Sequence, residues 1–474
     1  MLTAIQKIDI PRAGAAGVVL IALGFGLWAT LAFNAGLYFL AGIAGAAVAV
    51  LSFRSQIFWM YTIAAATSVF FRTSDVGVSI LDVIIGAYYI GGLGIWLFTA
   101  VFVRRTRIIL HIGDWFFMFF FIALLGVVVV SFMNGVGLMD AVSEYLLFST
   151  LLLYFPARDI FKDKKKEFAL FLAFFAVVVF YHDLQQFYDY FFGIRKGIKY
   201  VYEMLYSVRI NQTLYTASCL ISLLFVFYVK KRSQKLLLLV FFSTTVVALI
   251  TSFSRTFWII LIAEIFIVAL YLPARQKVKL AIFTGAAATM MTLATLIFAP
   301  QYAETVFNIL EYRLSSSTEG KKDISVLGRI AEYNEVIDRI KDLPMGGNGL
   351  RKKFSYMDPL SDSMQHKHII HNGYLFIVYR MGFPIAFLFL FVVVYFTVKS
   401  EKLARKVQDP FYKNIAISAF LIMILLLIAN FTSSQYFYRD GMFVTLFGFA
   451  FTEIAAKQYA REQEEKALAK VQEN

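Results

Sequence analysis

An all-α, polytopic membrane fold is predicted by three properties of the sequence. The 474 residues are 60% hydrophobic and only 16% charged, the mean hydropathy of +0.70 exceeds that of soluble domains, and apolar runs recur from end to end. Runs long enough to cross roughly 30 Å of hydrocarbon must be helical, because lipid offers backbone N–H and C=O groups no partners.

In chain order the runs lie near 13–31, 33–52, 56–71, 79–103, 114–132, 140–157, 166–182, 213–229, 235–253, 256–272, 278–299, 372–398, 413–430 and 441–456. The third and sixth are short or polar enough to be re-entrant or tilted, so about 12–14 transmembrane helices are expected. The first run continues past Trp28 as a full span, which predicts a retained segment rather than a cleaved signal. The one cysteine, Cys219, lies inside an apolar run, so no disulfide forms within the chain and the thiol reads as structural. The organisation expected is an N-terminal bundle over 1–299 with an outer loop at 183–212, a large, helical outer loop over 300–371, C-terminal helices over 372–456 and a charged tail over 457–474.

Sidedness follows from the basic residues. The turns "SFRSQ", "VRRTR", "RDIFKDKKKE", "KKRSQK", "ARQKVK" and "KSEKLARKVQ" fall on one side, whereas "FNAG", "RTSDVGVS", "NGVGLMD", "SFSRTFW" and "TSSQYFYRDG" fall on the other with at most one arginine each. Lysine and arginine collect in cytoplasmic loops, so both termini are expected in the cytoplasm. That rule also accounts for the net charge of +14 without a nucleic-acid partner; membrane lipids are the expected surroundings.

The long outer loop carries legible parts. In "SVLGRIAEYNEVIDRIKDL", Ile330, Tyr333, Val336, Ile337 and Ile340 recur at helical spacing and predict a surface-lying helix. "PMGGNGL" ends it, since proline and clustered glycines break helices and set turns. The stretch "QHKHIIHNGYLFIVYRMGFP" then returns the chain to the membrane with three of the five histidines.

This topology puts Arg255, Arg329 and His371 on one face. A guanidinium in the tight hairpin "TSFSRTFWII" is costly unless it meets an anion or water, although simple snorkelling would also place Arg255 at the interface. Arg329 on the loop helix reads by itself as a solvated surface charge. His371 has a richer setting: Asn372 can orient the imidazole, Gly373 permits close approach, and Tyr374 and Tyr379 suit an interfacial site. His366, His368 and His371, with Asp358 and Asp362 upstream, lack the motifs of a zinc site, so no metal is expected.

The succession "SFSR" in a short outer loop, "GRIAEYNEV" followed by "LPMGGNG" in a long one, and "HNGYLFIVYRMGFPIAFL" entering a helix resembles the O-antigen ligase and O-antigen polymerase superfamily, over about Arg209 to Tyr395. The resemblance implies glycan transfer from undecaprenyl diphosphate to an acceptor hydroxyl at the periplasmic face of the bacterial inner membrane. It implies Arg255 and Arg329, with Arg209 more loosely, as the diphosphate-binding cations, and His371 as the catalytic base. The acceptor would be a second carrier-linked glycan in a polymerase, lipid A core in a ligase, or a protein hydroxyl. The span count and the absence of an asparagine–proline pattern after Arg209 tilt the reading to a polymerase, for which a chain-length regulator is a candidate partner. No cofactor is implied. The competing class is a lipid-linked oligosaccharide flippase, which would use a cationic cavity near mid-membrane and often shows internal repeats.

Overall fold

A computed structural model describes residues 36–69, 80–195, 211–252, 254–298, 324–358 and 362–473. The expected span at 13–31, the candidate Arg209 and parts of both long outer loops lie outside them.

The described chain is α-helical apart from one hairpin. Among the described residues eleven α-helices precede the large loop: α1 Gly36–Arg54, α2 Gln56–Val69, α3 Ile80–Phe98, α4 Ile112–Met133, α5 Leu138–Ser149, α6 Tyr154–Phe161, α7 Lys165–Arg195, α8 Gln212–Tyr228, α9 Arg232–Thr251, α10 Arg255–Tyr271 and α11 Ala274–Phe298. The loop holds α12 Ile324–Asp342, β1 Phe354–Asp358 and β2 Ser363–Lys367; α13 Gly373–Lys406, α14 Pro410–Ala429 and α15 Arg439–Glu473 close the chain. Among the described residues seven helical segments are long and apolar enough to cross a membrane, including the composite 138–161, in which a 3-10 turn joins α5 to α6. The chain is an integral membrane protein.

The core lies where α13, α14 and α15 pack together. Ring contacts run through it: Phe396 against Phe449 at 4.3 Å, Phe389 against Tyr436 at 5.0 Å and Phe376 against Phe437 at 3.8 Å. The phenylalanine-rich α4 and α7 join it through Phe117, Phe168 and Phe175, and α6 joins it through Tyr154. Such offset and edge-on pairs stabilise by about 0.5–1.5 kcal/mol each beyond area burial. In a bilayer this packing substitutes for a hydrophobic drive that lipid does not supply.

The bundle has two chemically distinct ends. At one, Arg104 pairs with Asp159 at 2.7 Å, Arg158 with Asp114 at 2.8 Å and Lys165 with Asp409 at 2.8 Å. There the N-termini of α4 and α7 meet the C-terminal half of α15, where Arg461 pairs with Asp163. At the other, Asn134 donates to the Asn348 carbonyl at 2.9 Å, Thr213 N–H to Asp440 at 3.1 Å and Gly373 N–H to the Asn430 carbonyl at 2.8 Å. The basic turns at 52–56, 104–107 and 158–167 thus share the first end with the segment after α13, and the loops entering α10 and α13 share the second. The part of α13 beyond Gly382, residues 383–406, spans about 36 Å of helix between them.

The loop helix forms where its periodicity predicts, with a different inner face. Val336 and Ile340 are buried as expected, but Ile330 and Ile337 are exposed, and Glu332 is buried in their stead. The hairpin is a further departure from a purely helical loop. Phe354 and Tyr356 alternate inward while Ser355 and Met357 alternate outward, a period of two that the surrounding charged residues disguise.

Candidate active site

The second end is organised around a break in α13. Gly382 has φ +73° and ψ 167°, a region essentially confined to glycine. The break frees the Tyr379 and Arg380 carbonyls, which accept from Asn348 N–H at 2.7 Å and Gly349 N–H at 3.0 Å, while Phe383 N–H donates to the Pro344 carbonyl at 2.9 Å. The turn "PMGGNG" is therefore docked into the helix as a splice. Gly347 and Gly349 also have positive φ, at +68° and +92°.

Arg380, 1% exposed, fixes the next stretch. Its guanidinium donates to the carbonyls of Gly349 at 3.3 Å, His368 at 2.7 Å and Lys352, and Glu144 of α5 lies 3.4 Å from its Nε. This one buried cation holds both arms of the hairpin and delivers residues 368–372 to the head of α13.

There His371 meets α12. Glu332 accepts from His371 N–H with Oε1 at 2.6 Å and lies against His371 Nδ1 with Oε2 at 2.9 Å. The carboxylate is 1% exposed and the imidazole side chain 38% exposed. A carboxylate can only accept, so Nδ1 carries a proton, and in the neutral ring the lone pair is on Nε2. Tyr333, the next residue, donates its hydroxyl to the His371 carbonyl at 3.1 Å. Burial raises the Tyr333 phenol above its ordinary pKa, and the charge of Arg329 works against that rise, with Glu332 adding to it. Arg329 sits three and four residues before this pair, on the same face of α12. Lys367 lies 3.9 Å from Glu332 Oε2 and donates to the Tyr356 hydroxyl at 2.7 Å.

Asn372 does not orient the imidazole. Its side-chain oxygen caps α13, accepting from Tyr374 and Leu375 N–H at 3.0 Å each, while Glu332 holds the ring. Gly373 makes the expected close approach: a Cβ there would collide with the side chain of Asn430. Tyr374 donates to the Leu427 carbonyl at 2.5 Å and stands 4.8 Å, ring to ring, from Phe431. Tyr379 is fully buried beneath the hairpin rather than interfacial.

Arg255 reaches the same end by another route. It begins α10, half-buried, beside Thr256, whose hydroxyl accepts from Thr432 at 3.0 Å. Thr432 belongs to the loop whose Asn430 and Ser433 carbonyls accept from Gly373 N–H at 2.8 and 3.1 Å. The structure therefore places Arg329 on the helix whose Glu332 and Tyr333 hold His371, with Asn372 and Tyr374 following at the head of α13, and ties the first turn of α10 to this end through Thr432. His366 bonds Ser355 at 2.6 Å on the hairpin, apart from the Glu332–His371 pair.

Two participants escaped sequence reasoning. Glu332 was hidden among the charges of "GRIAEYNEV", although its spacing three residues after Arg329 is a usable signal. Lys367 stood out in no pattern.

Residues 238–390, from α9 into α13, match the family described as O-antigen ligase. No curated protein matches the chain.

Proposed function

We propose that this membrane protein transfers a glycan from undecaprenyl diphosphate to an acceptor hydroxyl, with inversion at the sugar C1, at the periplasmic face of the inner membrane. The observation that carries the reading is the Glu332–His371 pair, with Nδ1 engaged and the ring partly exposed, on the end of the bundle that also holds Arg329 and Arg255. The match of residues 238–390 supports glycan transfer by a membrane enzyme.

The chemistry follows from these groups. The acceptor oxygen attacks C1 while His371 Nε2 takes its proton; the bond from C1 to the diphosphate oxygen breaks, and the electron pair leaves with the carrier. Glu332 stabilises the imidazolium that results. General-base assistance of this kind contributes typically about 10²–10⁴-fold. Arg255 and Arg329 hold the diphosphate, since guanidinium forks match phosphate oxygens bidentately and stay charged. They offset the charge that builds on the leaving group. Diphosphate is already a good leaving group, so neither a metal nor a nucleotide is required, and activity is expected to survive a chelator.

The acceptor is decided by incubating the purified protein with a synthetic lipid-diphosphate glycan, alone and with lipid A core. Self-extension, the outcome we favour, makes it a polymerase; transfer to the core makes it a ligase. No new glycosidic bond in either mixture, with the lipid translocated instead, rejects the transferase reading for a flippase. Abolition by chelator with rescue by a divalent ion rejects the mechanism.

A further inference from the structure

The basic end of the bundle contains a cavity of about 240 Å³ between the 104–111 loop, α6 and α15. Four cations line it, Arg107, Arg158, Lys162 and Lys457, against one carboxylate, Asp159. Two of the four are already neutralised: Arg158 by Asp114 at 2.8 Å, and Lys162 by Asp159 at 2.9 Å, which also takes Arg104 at 2.7 Å. Arg107 and Lys457 make no ion pair among the described residues. With Asp159 shared between Lys162 and Arg104, the five cations named here face two carboxylates, and the excess includes Arg107 and Lys457.

The backbone that carries Arg107 is held in place, while the Arg107 and Lys457 side chains are exposed. Arg107 is flanked by Thr106, whose N–H and hydroxyl both donate to the Ala100 carbonyl at 2.9 and 3.1 Å, and by Ile108, whose carbonyl accepts from Arg158. Leu110 N–H then donates to Asp114 at 2.8 Å. The loop is pinned on both sides of Arg107, so a ligand has side chains but little backbone to order. Trp96 and Leu110 supply apolar wall beside the cations, and Leu110 is 59% exposed, as suits a site on the boundary of hydrocarbon and water. The cavity is near the lower end of small-molecule sites, roughly 300 Å³, which admits a phosphate head group but no acyl chain.

We infer that this cavity is a binding site for a phosphate-bearing ligand, held by Arg107 and Lys457 and remote from the glycan-transfer site. Basic pockets between helices at the cytoplasmic surface take anionic lipid head groups, and the adjoining apolar wall matches that source. A soluble organic phosphate would offer the same group.

The test uses the full chain, delipidated in neutral detergent. In one arm phosphatidylglycerol and phosphatidylcholine are titrated separately and retention is read by native mass spectrometry; in the other, inorganic phosphate is titrated by calorimetry. Wild type is expected to hold phosphatidylglycerol at least about tenfold more tightly than phosphatidylcholine. The R107A/K457A double variant, and Lys457→Glu alone as a second variant, should lose that preference while keeping the wild-type elution volume. Binding of inorganic phosphate without lipid preference, lost in the same variants, also supports the site and assigns a soluble source. Absence of both responses in wild type, or their persistence in both variants, overturns the inference.

Discussion

Glu332 and His371 illustrate how a residue's role depends on what its partner leaves open. Because the carboxylate takes both the main-chain N–H and Nδ1 of His371, it fixes the tautomer as well as the position. Replacing His371 with alanine is expected to remove turnover by a factor on the order of 10²–10⁴ while carrier-lipid binding persists; retained turnover would reject it as the base. Glu332→Gln presents an amide that can donate toward Nδ1 and so favours the wrong tautomer. Turnover should fall steeply with donor KM little changed, and a KM effect alone would mean that Glu332 contributes to donor binding and not to the base. Arg255→Ala and Arg329→Ala each remove a charged hydrogen-bonding group, typically about 1.5–3 kcal/mol, so carrier binding should weaken roughly tenfold to a hundredfold by calorimetry. Unchanged binding in both would sink the diphosphate clamp. His371 and the arginines were legible because their types are conspicuous at membrane boundaries. Glu332 was not, since a carboxylate among alternating charges on a loop helix reads as solvated until its burial is known.

Among the elements, α13 departs most from what hydropathy implies. The run from residue 373 reads as one long span, and Pro384 alone suggests a kink, yet the decisive residue is Gly382. With φ +73° and the Met345 carbonyl standing where a Cβ would project, alanine there should cost at least about 1–3 kcal/mol in backbone strain. A lower midpoint for Gly382→Ala in thermal unfolding in detergent is the expected result, and an unchanged midpoint would show that the break is not needed. The hairpin was missed because its alternation spans only ten residues, interrupted by a turn and rich in polar side chains, and short runs of period two carry little signal. The loop helix was found because its periodicity is longer, but its buried face was rotated. Periodicity counts apolar residues and cannot tell a stripe turned to protein from one left exposed, as Leu327, Ile330 and Ile337 are.

Over the whole molecule, helix content and the separation of basic from neutral loops were readable because both follow from transfer energetics alone. Which helices touch which was not, since among lipid-soluble surfaces the choice is made by shape. The absolute orientation is testable with cysteines. Cys219 is fully buried, so the native chain should resist a membrane-impermeant maleimide. Asp338→Cys on α12 is expected to label in right-side-out vesicles and Lys164→Cys only after permeabilisation; the reverse pattern would move the candidate site to the cytoplasm. The splice of "PMGGNG" into α13 also bears on how such proteins can be recombined. A crossover anywhere between residues 350 and 382 would part donors from the acceptors made for them and strand two main-chain carbonyls at the bilayer edge. The exchangeable cassette is therefore neither the loop nor the helix but the two inherited together, from the start of α12 to the end of α13.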